Sequence, residues 1–173
     1  MKRSLSLGVL CVFFASVAAT AQTKEILYSN DEFKKLDTFE AHSLAKADRV
    51  FGKKEYKRAA AEYDSFILEF PKSKAIAYAL LRKGRCLHLA KKRFLAIKEY
   101  DEILDYFPND VKYAAAALYS IGQCHWENGD EEKALKAWAD MAKDVDYRKT
   151  RLAAKAIKQL ADNLAKRDQI GRA

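Results

Sequence analysis

Glycine, proline and cysteine are all scarce in this chain, at six, two and three of 173 residues. So few glycines and prolines argue against a loop-rich sandwich or barrel and favour helices. No glycine-rich loop is present to cradle a phosphate, and none of the eight serines stands in a nucleophile elbow. A continuous Lys/Arg stripe is also missing: acids and bases alternate, as in EYDSFILEF and KEYDEILDYF, which argues against a nucleic-acid protein. What the chain does have is 50% hydrophobic, 12% aromatic and 32% charged residues. That is too balanced for a disordered polymer and enough for one domain or a short repeat array.

Residues 1–21 are read as a signal peptide. Lys2 and Arg3 precede an apolar run over residues 5–19, and Ala19-Thr20-Ala21 carries small residues where a signal peptidase reads them. The run falls short of the roughly 20 residues that a spanning helix needs. Acylation at Cys11 is the alternative, but Leu10 is large where a lipid site wants a small residue. Export gives a periplasmic or secreted protein with no membrane span after cleavage. The formal charge of +8 loses Lys2 and Arg3 and becomes +6, a mildly basic surface.

From Thr38 onward apolar residues recur at three and four, the period of amphipathic helices, and nothing alternates as a strand does. Self-comparison then finds columns in register. Small residues stand at Ala47, Gly84, Gly122 and Ala161, alanines at Ala59, Ala96 and Ala134, and large aromatics at Tyr63, Tyr100 and Trp138. Pro71 and Pro108 close two units, and Asp146 holds the matching place in the third. Steps of 37 to 39 residues in independent columns mark a repeat array. The small residue is expected to make room for a partner backbone, the aromatic to fill the space between hairpins, and proline to end each second helix. Turns fall near residues 52–55 and 91–93 and at Asn128-Gly129-Asp130, where Gly129 takes a left-handed cap and Asp130 caps the next helix.

The organisation is therefore all-α: a polar lead at 22–37, three helical hairpins over 38–145, and a capping helix and tail at 146–173. The lead, QTKEILYSNDEFKKLD, carries the apolar anchors Ile26, Leu27, Phe33 and Leu36, and reads either as a flexible segment or as a short helix folding back on the first hairpin. The last helix has an apolar stripe of Leu152, Ala156, Ile157, Leu160, Ala161 and Leu164, with a polar opposite face suited to a cap.

The segments AYALLRKGRCLHLAKKRFLAIKEYDEILDYFP and AALYSIGQCHWENGDEEKALKAWADM resemble tetratricopeptide (TPR) repeats. The small-residue column, the turn glycine, the second-helix alanine, the following aromatic and the closing proline carry the resemblance, which extends over about residues 38–167. The units exceed the usual 34 residues, and the first has Ala47 where the family has glycine. Longer units opening FPKSKAIAYALLRKG or FPNDVKYAAAALYSIG resemble those of exported bacterial envelope proteins.

The resemblance implies a right-handed superhelical array whose first helices line a concave groove. Its groove positions carry over to Ala41, Leu44, Asp48 and Phe51 in the first unit. They carry over to Tyr78, Leu81, Arg85 and His88 in the second, and to Ala116, Tyr119, Gln123 and Trp126 in the third. Lys155, Lys158 and Asp162 follow on the last helix. The residue types at Tyr78, Arg85, His88, Tyr119, Gln123 and Trp126 are those enriched at binding hot spots, so these six form the candidate partner site. Packing between helices explains Tyr78 and Trp126 equally well.

Chemistry is sparse. Cys86, His88, Cys124 and His125 contain the ligand types of a zinc site. Adjacent Cys124 and His125, however, point about 100° apart on a helix. Packed helices also stand about 8–10 Å apart, beyond the usual disulfide span. Small buried thiols are the preferred reading of Cys86 and Cys124, with a disulfide and a metal site as alternatives. His42 is expected to be exposed. No catalytic, metal or cofactor site is assigned. Function then reads as a non-catalytic scaffold binding an envelope protein or peptide in its groove. The alternatives are a structural subunit docking edge to edge and a ligand-binding or catalytic accessory to peptidoglycan, lipid or metal handling.

Overall fold

A computed structural model describes residues 26–170, with side chains to residue 168. Residues 1–25 and 171–173, and with them the signal-peptide and Cys11 readings, lie outside the described residues. The order is α1 (Asn30–Phe33), α2 (Thr38–Gly52), α3 (Tyr56–Glu69), α4 (Ile76–Leu89), α5 (Arg93–Tyr106), α6 (Val111–Glu127), α7 (Glu131–Lys143), a 3-10 turn (Tyr147–Lys149) and α8 (Arg151–Ile170). Each helix from α2 to α8 packs on its sequence neighbour, and α6 also touches α4 and α8. The result is an all-α helical repeat array of three hairpins, α2/α3, α4/α5 and α6/α7, followed by α8.

The repeated columns set its geometry. Ala59, Ala96 and Ala134 are buried, as are Tyr63, Tyr100 and Trp138. A Cβ built on Gly84 would sit 2.6 Å from Tyr100 Cε1, and one on Gly122 would sit 2.2 Å from Trp138 Nε1. The glycine thus accommodates the aromatic ring of the second helix, where the sequence suggested a bare backbone crossing. Trp138 uses the same approach to donate its indole N–H to the Tyr119 carbonyl at 3.3 Å. Ala47 occupies the equivalent place in the first hairpin and is buried. Ala161 occupies it in α8 and is exposed.

Helix ends follow local chemistry only in part. Asp37 starts α2 with a capping box, its carboxylate accepting from the N–H groups of Phe39 and Glu40 while Glu40 reaches back to the Asp37 N–H. α3 and α5 end directly before the residue that precedes Pro71 and Pro108. Gly129 has φ +84°, but the equivalent left-handed positions in the first two turns are Lys54 and Lys91, at φ 62° and 64°. Asp130 makes no side-chain cap. Between hairpins, Lys83 bridges Asp64 on α3 at 2.6 Å and Glu99 on α5 at 3.0 Å.

α8 differs from the stripe expected of a cap. Ala153 and Ala156 are buried against α7, but Ile157 and Leu164 are 46% and 63% exposed and share a face with Ala161. Ile157 and Ala161 face solvent, and Leu164 borders an open groove against Leu135 and Ala139 of α7.

Gly122→Ala should destabilise the protein by about 1–3 kcal/mol, the range for forcing atoms into a filled core. Gly52→Ala, where no atom lies within 4 Å of the new Cβ, should stabilise it by about 0.4–1 kcal/mol. Urea denaturation of the two variants checks the opposite signs.

Candidate partner-binding groove

A small cavity opens where α4, α6 and α8 meet. Leu81 and Arg85 from α4, Ala116, Tyr119, Ser120 and Gln123 from α6, and Leu152 from α8 surround a cavity of about 60 Å³. Tyr100 of α5 forms the floor and Ile26 the rim. The Tyr100 hydroxyl is fully buried, lies near Ser120 and has no partner of hydrogen-bonding geometry. Burial pushes its pKa above the ordinary tyrosine range. Apolar walls with a few polar groups at the base suit a side chain inserted from a partner better than a free metabolite, which needs several hundred Å³.

Of the six candidate site residues, Arg85, Gln123 and Tyr119 line this cavity, the first two partly exposed and Tyr119 buried. Trp126 is 38% exposed and stacks on Trp138 at 5.7 Å. Tyr78, His88 and Tyr119 are all buried, and each takes part in packing. Tyr119 lies against Trp138, with ring centroids 6.3 Å apart. Tyr78 and His88 sit at the two ends of α4, each inside a polar network.

At the first of these, Asp48 accepts hydrogen bonds from the hydroxyls of Tyr63 and of Tyr78, the latter at 2.8 Å. Arg82 donates from Nε to the Tyr63 oxygen at 3.2 Å and lies 3.8 Å from the Asp48 carboxylate. Its guanidinium covers the Phe51 ring at 3.7 Å. Burial raises the pKa of both tyrosines, so they remain donors throughout the physiological range. Of the groove positions in the first unit, Asp48 and Phe51 therefore serve the joint between α2 and α4, and Leu44 is core.

At the other end, His88 Nε2 lies 3.1 Å from Glu127 Oε1, and Arg93 Nε donates to Glu127 Oε2 at 2.8 Å. This ties α4, α5 and α6 together. Burial lowers the His88 pKa, against the pull of Glu127, and keeps the ring neutral near pH 7. Cys86 and Cys124 are buried and not joined in a disulfide, and burial pushes Cys124 up to about 12. Among the described residues no cluster of three or more His, Cys, Asp or Glu side chains could hold a metal.

The polar lead enters the groove. Residues 26–29 have no regular secondary structure and α1 follows, and the segment reaches the starts of α4 and α6 rather than returning to the first hairpin alone. Tyr28 is buried on Tyr78, with centroids 5.0 Å apart, and meets Phe33 edge-on at 5.2 Å. Lys112 Nζ donates to Glu32 at 2.9 Å and to the Leu27 carbonyl at 3.4 Å, and the Tyr113 hydroxyl donates to Glu32 at 3.3 Å. Ser29 and Glu32 form a capping box between them. Partial burial would raise the Glu32 pKa, but the Ser29 N–H and the Lys112 ammonium hold it down at about 2. Tyr28 escaped the sequence reading because one aromatic in a polar stretch has no period. Leu27, read as an anchor, is 63% exposed.

Residues 78–110 and 116–145 match the family model of the tetratricopeptide repeat. These segments span most of the second and third hairpins, which are similar to tetratricopeptide repeats over that stretch. The first hairpin lies outside the matched segments. No curated protein matches the chain.

The lowered His88 pKa gives a signed prediction. Below about pH 6.5 the unfolded chain takes up a proton at this position that the folded chain resists. The His88 contribution is therefore complete above that pH and is lost as pH falls through the folded-state pKa. Melting temperature measured from pH 7.5 to 5 should fall less steeply in His88→Gln than in the unaltered chain.

Proposed function

We propose that the protein is an exported, non-catalytic adaptor that holds a segment of a cell-envelope protein against the wall formed by α4, α6 and α8. The observation that carries this is the half-open cavity with Arg85 and Gln123 at its polar edge and Tyr119, Leu81 and Leu152 as its apolar sides. Tetratricopeptide repeats are protein-interaction modules, which supports the class. The basic start, the apolar run and Ala19-Thr20-Ala21 support export. No helix among the described residues is long and apolar enough to cross a membrane.

One observation favours a second reading, a structural subunit that docks through its edge. In each hairpin the small residue precedes its large aromatic by 16 positions, as in Gly84–Tyr100 and Gly122–Trp138. Ala161 presents the same small position on α8, flanked by exposed Ile157 and Leu164, with no aromatic packed there among the described residues. A helix carrying an aromatic would fit that face as Trp138 fits Gly122.

Capture from native envelope extract separates the two. Arg85→Glu/Gln123→Ala changes partly exposed side chains and leaves the core intact. It should reduce a groove-bound prey by about tenfold or more, the effect of losing one hot spot. Ile157→Asp/Leu164→Asp should leave that prey in place. The reverse pattern, with both variants equally helical, transfers the function to the α8 edge and sinks the groove.

A further inference from the structure

The lead segment shows what the groove accepts. Resting on the adaptor reading above, we infer that residues 26–33 act as a built-in competing ligand. On that basis the partner binds through an aliphatic side chain, then a tyrosine two residues on, then a capped helical turn with a glutamate four residues after the tyrosine. The argument comes from how the segment is held. An ordinary linker into α2 has no reason to cross to the third hairpin, because Asp37 alone caps that helix. This one crosses, burying Tyr28 on Tyr78 and placing Ile26 at the cavity rim.

Its contacts are those of a recognised peptide. The Ile26 side chain borders the cavity, the Tyr28 ring packs on Tyr78, and the main-chain carbonyl of Leu27 is read by a lysine. A buried-edge carboxylate, Glu32, is taken by Lys112 and Tyr113 together. Lys112 belongs to neither of the polar networks that join the hairpins, and it contacts Glu32 and the Leu27 carbonyl of the lead and the Tyr113 ring. The charge match is therefore directed at the segment. Nothing covalent holds it there, and the segment is tied to the array only through its continuation into α2. A tethered ligand of this length acts at an effective concentration near millimolar, so an outside peptide binds well only once the tether is weakened.

The test uses the full chain and a fluorescein-labelled peptide of residues 26–36, ILYSNDEFKKL, followed by anisotropy. The unaltered chain should bind it weakly. A chain carrying Tyr28→Ala/Glu32→Gln should bind it about tenfold or more tightly, because the internal competitor is weakened. Adding Lys112→Gln to that chain should remove most of the gain, and a peptide with both substitutions should bind none of the chains. Circular dichroism checks helicity. If the double variant loses it, the milder Glu32→Gln chain is compared instead and decides by the same criterion. Equal or absent binding by the folded variants overturns the inference, as does a gain that Lys112→Gln does not touch. Neither result touches the adaptor reading, which stands or falls on the Arg85→Glu/Gln123→Ala capture.

Discussion

A ring pressed against a missing side chain determines this architecture. Tyr100 and Trp138 lie so close to Gly84 and Gly122 that even a methyl group would collide with them. That proximity sets the spacing of the two helices in the second and third hairpins, and the recurrence of a small residue and an aromatic every 37 to 38 residues, with Ala47 in the first, makes an array. The alanines one turn earlier, Ala96 and Ala134, are small for the same reason and fully buried. Where the pair is incomplete, at Ala161, an apolar face is left in solvent.

Between hairpins the adhesive is different. Buried polar groups are costly unless paired, so Asp48 with Tyr63, Tyr78 and Arg82, and Glu127 with His88 and Arg93, can be satisfied in few relative positions of the helices. They fix the rotation of α2, α4 and α6 about one another, and with it the shape of the wall those helices present. A groove built this way has stiff sides. Its floor holds the unsatisfied Tyr100 hydroxyl, and its entrance is partly covered by the chain's own Tyr28 and Ile26.

The site was less legible than the fold. Arg85 and Gln123 could be placed near solvent because a long polar side chain on a first helix has nowhere else to go. Tyr78, His88 and Tyr119 could not, since a tyrosine or histidine on an amphipathic helix looks the same whether it faces a ligand or a neighbouring helix. Their burial comes from residues far away in sequence: Asp48 and Tyr28 for Tyr78, Glu127 for His88, Trp138 for Tyr119. The left-handed turns at Lys54 and Lys91 were hidden for the opposite reason, because a lysine carries no local signal for positive φ. Asp130 had the local signal of a cap, and its side chain does not cap.

Helical period, the glycine and aromatic columns and the closing prolines are short-range or strictly repeating features. The sequence by itself therefore determined the all-α class, the repeat and the pairing of helices into hairpins. Which surface is open, and that the lead lies across α4 and α6, only the tertiary structure decided. Those outcomes depend on pairs such as Glu32 with Lys112, 80 residues apart, whose meeting is set by how hairpins stack and by no pattern within either segment.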